Sequence, residues 1–379
     1  MPALILLSYV SLLVLSLLDN IRGPFYPEVL HTFTMTGTWG SWFFAMTSLF
    51  AFIGSTTTHR LLNYWSCFTV LWVASATLGI GFALMALSPS FLILLPCCAL
   101  FGWAYGALNV AQNVMVYECS PHELRRRFFS GLHSMYGLAA LAAPLTATGF
   151  RALGYDWRQV FLILAFFPIV LALISYFILK APPVSTVKPE KLTYLRKDWQ
   201  RTGLFILMMA GYLWGELSVS TRLVLWLRQD LELTASQADL YLAGFFFTLS
   251  SGRLFFSFVH FRGFSNWTIL YSSAFLGAVF YYLGLNVHPL WLVVSGWLMA
   301  PFFPVAMEQI SASFGDKSSQ ALSLIIGFGS GSVVLMHVTL GWVSDQVGIT
   351  KALHLGPLTL MIIALSIFFV HGRTRPAHG

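Results

Sequence analysis

Twelve apolar stretches of about 20 residues each run through this chain, separated by short polar or turn segments. An apolar helix of about this length spans the hydrocarbon core of a bilayer. Only 9% of the 379 residues are charged, compared with about 25% in soluble domains. The sequence therefore predicts an all-α polytopic membrane protein with twelve transmembrane helices. The predicted segments 1 to 12 lie near residues 3–30, 39–58, 66–87, 91–117, 128–150, 158–179, 202–227, 238–259, 267–287, 290–311, 320–343 and 352–371.

One long hydrophilic segment, residues 181–200, divides the chain into two halves. Its prolines and lysines are typical of a tether rather than of a folded domain. We therefore predict an N-terminal six-helix bundle at 1–180, a cytoplasmic linker at 181–200 and a C-terminal six-helix bundle at 201–379.

Basic residues are distributed unevenly between the two sides of this topology. Of 21 Lys and Arg residues, 14 fall on the side of the N-terminus, four on the opposite side and three inside segments. Because cytoplasmic loops are enriched in Lys and Arg, both termini are predicted to be cytoplasmic in a plasma (inner) membrane. The net charge of +7 comes from these scattered bases, so we expect a lipid bilayer and no nucleic acid as a partner.

The two halves carry matching residues at offsets of about 192–201 positions. Each match alone is weak, but together they indicate two pseudo-symmetric bundles in the same orientation. Such a repeat places a solute path between the bundles and permits rocking about it. The matches are Gly102-Trp103 with Gly296-Trp297, His59/Arg60 with His260/Arg262, Gly149/Gly154 with Gly341/Gly348, and Asp19/Arg22 with Glu216/Arg222.

Three motifs resemble those of the major facilitator superfamily. "VYECSPHELRRRFFSGLHSMYGLAALAAPL" resembles the family's cytoplasmic acid–Pro–Glu–Arg gate and its Gly/Pro-rich helix 5. "GYDWRQVF" resembles the Trp-Arg-x-x-Phe turn before helix 6, and "GWVSDQVG" resembles the end of helix 11. The resemblance covers nearly the whole chain and implies the major facilitator fold.

A narrower resemblance is to the fucose-permease-like branch. "GYLWGELSVSTRLVLWL", "GFFFTLSSGRLFF" and "GWLMAPFFPVAMEQIS" are similar to its helices 7, 8 and 10. One departure concerns the loop between helices 2 and 3, where the superfamily usually carries an Asp-Arg pair. This chain has His59-Arg60, which leaves open whether His59 takes over the gate contact of the aspartate.

Ionisable side chains inside apolar segments are functional candidates because they are costly in lipid. Asp19 and Arg22 are three residues apart on one helix face, so they either neutralise each other or form a proton-responsive site. Gly23-Pro24 follows, which predicts a break in the helix. Glu216 has no base within one turn of its own helix, so burial favours its protonated form. Asp19 and Glu216 are therefore the proton-coupling candidates.

Polar and aromatic side chains within segments are candidates for solute contact. Asn109, Gln112 and Asn113 share one face of segment 4, where they either join helices or bind a hydroxyl-rich solute. Histidine side chains within the segments either hydrogen-bond to carbonyl groups or bind solute and protons. Tryptophan side chains either pack between helices or stack on a sugar ring. With Arg22, the remaining candidates are His133, Tyr136, Trp214, Trp297 and His337.

Charged residues near the segment ends are gate candidates by the same resemblance. For the basic ones, anchoring by the positive-inside rule is the alternative. Arg253 is placed to pair with a carboxylate on helix 7 or 10, with Glu308 as one option. The gate candidates are Arg60, Glu118, Arg126, Arg158 and Arg253.

These features predict a secondary active transporter for a small polar, sugar-like solute, coupled by symport to protons. The alternative is a proton antiporter that exports amphipathic compounds, which the 34 phenylalanines support and the polar face of segment 4 opposes. The sequence carries no nucleophile elbow, zinc-protease run or phosphate loop, so we expect no catalytic residues and no ATP-driven pump. We expect no metal or other cofactor, an ion gradient as the energy source, and a monomer.

Overall fold

The computed structural model describes residues 2–121, 124–178, 196–258 and 263–374, and every regular element in these ranges is helical. The chain forms two compact units, Met1–Pro189 (the N unit) and Glu190–Gly379 (the C unit). This is the all-α membrane architecture that the twelve apolar segments predict. Most of the predicted linker lies outside the described residues, but its last five positions belong to a helix that begins at Arg196.

In the described part of the N unit, seven helices correspond to predicted segments 1 to 6. Segment 1 is divided into two helices, and each other segment is one helix. They are α1 (Pro2–Asn20), α2 (Arg22–Phe33), α3 (Gly37–Leu61), α4 (Cys67–Leu87), α5 (Phe91–Cys119), α6 (Arg125–Ala152) and α7 (Trp157–Ile178).

The C unit contains the helices of segments 7 to 12. Segments 10 and 12 are divided here, and segment 7 is a single helix. The helices are α8 (Arg196–Gln229), α9 (Ala235–Phe258), α10 (Asn266–Asn286), α11 (Leu290–Met299), α12 (Phe302–Phe314), α13 (Ser318–Val347), α14 (Ile349–Leu353) and α15 (Leu355–Thr374).

Helices pair in the same pattern within each unit. In the N unit, α1 packs on α6, α3 on α5 and α4 on α7. In the C unit, α8 packs on α13, α9 on α11 and α10 on α15. In segment numbers the first set is 1–5, 2–4 and 3–6, and the second is 7–11, 8–10 and 9–12. The internal repeat seen in the sequence is therefore a repeat of packing.

Matching glycines explain one of these pairings. A Cβ at Gly102 of α5 would collide with the backbone of Thr47 on α3, and a Cβ at Gly296 of α11 would lie 2.8 Å from the carbonyl oxygen of Phe245 on α9. Both helix pairs approach closely because these positions have no side chain. The repeated Gly-Trp match thus marks equivalent helix contacts.

Nine helical segments among the described residues are long and apolar enough to cross a membrane. The helices α3, α6 and α9 have 25, 28 and 24 residues, so they also have membrane-spanning length. They carry more Ser, Thr, Gly or Arg, which lowers their hydropathy. The protein is therefore an integral membrane protein.

Candidate functional site

An ion pair lies at the break between α1 and α2. The pyrrolidine nitrogen of Pro24 has no hydrogen to donate to the carbonyl of Asn20, and the next bond, from Phe25 N to Ile21 O, is stretched to 3.5 Å. The predicted break therefore occurs at Ile21. Asp19 and Arg22 flank it, and a guanidinium nitrogen of Arg22 contacts the carboxylate of Asp19.

Arg22 is held on every side within the N unit. Its Nη1 donates to Thr47 Oγ1 on α3 at 2.7 Å, and its Nε donates to the Asp19 carbonyl at 3.2 Å. Its guanidinium lies over three phenyl rings, with centroids at 5.0–5.5 Å, which adds cation–π attraction. The side chain of Arg22 is only 4% exposed, whereas that of Asp19 is 21% exposed. The rings belong to Phe43, Phe44 and Phe101.

Two tyrosines extend this polar region onto α5 and α6. Tyr105 is half-buried and shares a hydrogen bond with Tyr136. It also interacts electrostatically with Asp19 and Arg22. The carbonyl of Tyr136 accepts a hydrogen bond from Ser16 of α1 at 3.0 Å. The predicted residues Asp19, Arg22 and Tyr136 therefore belong to one cluster. Tyr105 was missed by the sequence interpretation, although it lies one helical turn before Asn109 on the same face.

The three carboxamides of α5 have different environments. Gln112 is fully buried, and its Nε2 donates to Ser11 Oγ of α1 at 2.9 Å. Gln112 is thus a contact between helices, and the prediction that it meets solute is not supported by its position. Asn109 and Asn113 are half-buried, and Asn113 Nδ2 donates to the Asn109 carbonyl at 2.8 Å. These two remain accessible beside Tyr105.

The C unit holds a second ion pair, but between two helices. Arg253 of α9 donates from Nη2 to Glu216 Oε2 of α8 at 2.7 Å and to the Tyr212 hydroxyl at 3.0 Å. The expectation that Glu216 is unpaired was therefore wrong, because its cation comes from another helix. The side chain of Glu216 is 12% exposed and that of Arg253 is 31% exposed.

Arg222, which the sequence repeat matches with Arg22, is buried, and its Nη1 donates to the Thr221 carbonyl at 3.5 Å. The prediction that Arg253 pairs with a carboxylate is correct for helix 7, and the carboxylate is Glu216 rather than Glu308. A search for cations on neighbouring helices, rather than along one helix, points to this pair.

A helix break lies beside this pair as well. The helical hydrogen-bond pattern is interrupted between α11 and α12, because Pro301 and Pro304 provide no N–H groups and Ala300 N donates to the Trp297 carbonyl at 3.3 Å. Ala300 and Pro301 keep right-handed helical backbone angles. The break places Phe302 against Tyr212, with parallel rings 4.6 Å apart. It also places Phe303 under the guanidinium of Arg253, 5.9 Å from the ring centroid. Interrupted helices at polar groups are typical of transporter sites.

The remaining aromatic and histidine candidates mostly pack within their own units. Trp214 donates its indole N–H to the Ser332 carbonyl of α13 at 3.2 Å, and it packs on a buried cluster that includes Met336. Trp297 contacts the rings of Phe255 and Phe256. These contacts favour the packing interpretation for both tryptophans. His337 is buried within α13, whereas His133 is exposed on α6.

The structure describes some of the residues of the predicted cytoplasmic gate. Glu118, at the end of α5, accepts a hydrogen bond from the thiol of Cys67, the first residue of α4, with Sγ and Oε2 3.2 Å apart. Arg60 is exposed near the end of α3. The side chains of Arg126 and His59 lie outside the described residues, so their gate roles stay predictions.

Arg158 lies at the start of α7 and contacts the carbonyl of Ala86 in the last turn of α4. Its guanidinium also lies 4.5 Å from the ring of Trp157 and 5.4 Å from that of Phe33. A cation at a helix C-terminus is favourable because the unpaired carbonyls there carry partial negative charge. Arg158 therefore joins α7 to α4 within the N unit.

Solved structures show the same fold over nearly the whole chain. A bacterial homologue of the human lysosomal transporter Spinster matches with a TM-score of 0.78 at 14% identity, covering 98% of this chain and 97% of that one. The nucleoside transporter NupG matches with a TM-score of 0.78 at 11% identity, over 97% and 99%. A D-xylose-proton symporter matches with a TM-score of 0.76 at 12% identity, over 96% of each chain. No curated protein sequence matches significantly.

The fold and its intramembrane ion pairs define a polytopic membrane transporter. The family model of the Major Facilitator Superfamily matches residues 9–317, so the chain belongs to this superfamily of secondary transporters. The resemblance to the fucose-permease-like branch stays a prediction.

Proposed function

We propose that the protein moves a small polar solute across the plasma (inner) membrane by alternating access, in symport with protons. One observation supports this most: each unit has a carboxylate–arginine pair beside a helix break, within segments of membrane-spanning length. Charged groups at such depth are retained for function because they are costly in lipid. We further propose a monomer with both termini in the cytoplasm.

In this proposal Asp19 and Glu216 are the proton carriers. Each carboxylate pairs with a permanent cation: Asp19 with Arg22, and Glu216 with Arg253, which also donates to the Tyr212 hydroxyl. Protonation of a carboxylate removes its attraction to the arginine, which changes the charge of the pair from zero to plus one. A change of this kind is a means to couple proton binding to helix movement.

A flux assay tests the coupling. The purified chain is reconstituted in proteoliposomes that contain a pH-sensitive dye, and D-xylose, uridine, dialanine or D-gluconate is added outside. We expect at least one of these solutes to acidify the lumen, and a protonophore to abolish its accumulation. Glu216→Gln and Asp19→Asn should lose proton movement, because neither amide can release a proton.

The matched control is Glu308→Gln, which neutralises an exposed carboxylate on α12. It should retain the signal of the unmodified chain. If Glu216→Gln and Asp19→Asn both keep full coupling, these carboxylates are not the carriers. If a solute accumulates without proton movement, the symport proposal is wrong.

The alternative function is export of amphipathic compounds by proton antiport. The phenyl rings around Arg22 and the aromatic residues beside Arg253 favour it. Cells that overproduce the protein should then resist amphipathic toxic cations. Unchanged sensitivity in cells that contain the folded protein would exclude this function.

A further inference from the structure

We propose that the solute carries a carboxylate group and that Arg253 binds it; this inference rests on the proposed transport function. The Asp19–Arg22 and Glu216–Arg253 pairs differ in which side chain is the more exposed. In the N unit the carboxylate is the accessible member, with Asp19 at 21% against 4% for Arg22. In the C unit the guanidinium is the accessible member, with Arg253 at 31% against 12% for Glu216. A solute that reaches the C-unit pair therefore meets a positive group.

The surroundings of Arg253 suit exchange of one carboxylate for another. Its Nη2 contacts both Glu216 Oε2 and the Tyr212 hydroxyl, so the Glu216 carboxylate shares this nitrogen with a second acceptor. A planar guanidinium can bind a carboxylate through two parallel hydrogen bonds, a stronger arrangement than a single contact. A solute carboxylate can therefore compete with Glu216 for the same group.

The break between α11 and α12 places an aromatic ring beside the same guanidinium. Phe303 is half-buried, and its ring lies 5.9 Å from the centre of the Arg253 guanidinium. An aromatic face beside a cation accommodates the apolar or ring-shaped part of an organic acid while its carboxylate meets the charge. Arg22 has no comparable accessible surface, because Thr47 and three phenyl rings enclose it.

Matched pairs of probes test the carboxylate requirement. Each pair shares a carbon skeleton and differs in the acid group: D-gluconate with D-sorbitol, L-lactate with propane-1,2-diol, and benzoate with benzyl alcohol. Thermal stabilisation of the purified full chain reports binding, because a ligand of the folded state raises the unfolding temperature. We expect at least one carboxylate to stabilise the protein and its alcohol partner to have no effect.

Variants assign the binding to Arg253. Glu216→Gln removes the competing charge and should tighten carboxylate binding by about tenfold. The double variant Glu216→Gln/Arg253→Met removes both charges, so it leaves no unpaired ion to prevent folding, and it should lose the carboxylate response. Arg201→Gln is the control, since it removes an exposed arginine from the same helix as Glu216.

Three results would overturn this inference. They are stabilisation by an alcohol equal to that by its acid, a carboxylate response that persists in the folded double variant, and no response to any acid. Proton-driven uptake of a neutral solute would confirm the transport function and reject the carboxylate. Carboxylate binding that depends on Arg253, without proton movement when the same acid is added in the flux assay, would confirm the site and reject proton symport.

Discussion

The N unit and the C unit each contain a carboxylate–arginine pair beside a helix break, and the two pairs differ in how they are built. Asp19 and Arg22 belong to one interrupted helix, and the arginine is enclosed. Glu216 and Arg253 come from two helices, and the arginine is the more exposed member. The two members of a pair within one chain segment stay close when neighbouring helices move, whereas a pair between two helices depends on their relative position. One repeated architecture therefore holds one such pair with an enclosed arginine and another with an accessible arginine.

Equivalent threonines make the contrast sharper. Thr47 Oγ1 lies 3.3 Å from the Phe43 carbonyl and 3.4 Å from the Cys98 carbonyl, and it also accepts from Arg22. Thr248 Oγ1 donates to the carbonyls of Phe245 and Val293 at 3.0 and 2.6 Å. In both units the threonine hydroxyl contacts one carbonyl of its own helix and one of the neighbouring helix. Arg22 also donates to Thr47, whereas Arg253 donates to Glu216 and Tyr212.

The largest expected difference between the units concerns loss of the arginine. Arg22→Gln should lower the free energy of unfolding by about 3 kcal/mol, because the buried guanidinium loses its hydrogen bond to Thr47 and its contacts with three phenyl rings as well as its pair with Asp19. Arg253→Gln should lower it by less, because the guanidinium of Arg253 is 31% exposed and is therefore less desolvated. Thermal unfolding in one detergent measures both. An equal or larger loss for Arg253→Gln would contradict the distinction between the enclosed and the exposed arginine.

A smaller loss of stability is expected when the two threonines are replaced. Thr47→Val should lower the free energy of unfolding by about 1.5–3 kcal/mol, because the buried guanidinium of Arg22 loses an acceptor. Thr248→Val is the matched control: it loses the same kind of backbone contacts without an arginine, and about 1 kcal/mol is expected. Chemical unfolding of both variants gives the difference. If the two values agree, Thr47 adds nothing to the fixation of Arg22.

The smallest loss of stability is expected when a phenyl ring beside each arginine is replaced. Phe44→Leu should lower the free energy of unfolding by about 1 kcal/mol through loss of a desolvated cation–π contact and of packing around Arg22. Phe303→Leu, under the more exposed Arg253, should lower it by about 0.5 kcal/mol. Parallel thermal unfolding curves resolve this order. A reversed order would mean that the ring contact at Arg253 is the more desolvated one.

Much of the site could be anticipated where the relevant residues are close in sequence. Positions i and i+3 of a helix share a face, so the pairing of Asp19 with Arg22 follows from spacing. The break before Pro24 follows from its missing N–H group. Glu216 was misinterpreted because its partner lies 37 positions away, on α9. For Gln112 and Trp214 the sequence left packing and solute contact open, since helical periodicity places a residue on a face but does not say which helix covers that face.

Hydropathy and residue spacing in the sequence predict twelve membrane-spanning segments, their division into two repeated halves and the pairing of Asp19 with Arg22. These features depend on hydropathy and on helical period, which are local properties of the chain. Only the tertiary structure decided that Arg253 reaches Glu216 and that Thr47 and three phenyl rings enclose Arg22. The physical reason is that contacts between helices depend on their rotation and separation, which close packing of many side chains sets together.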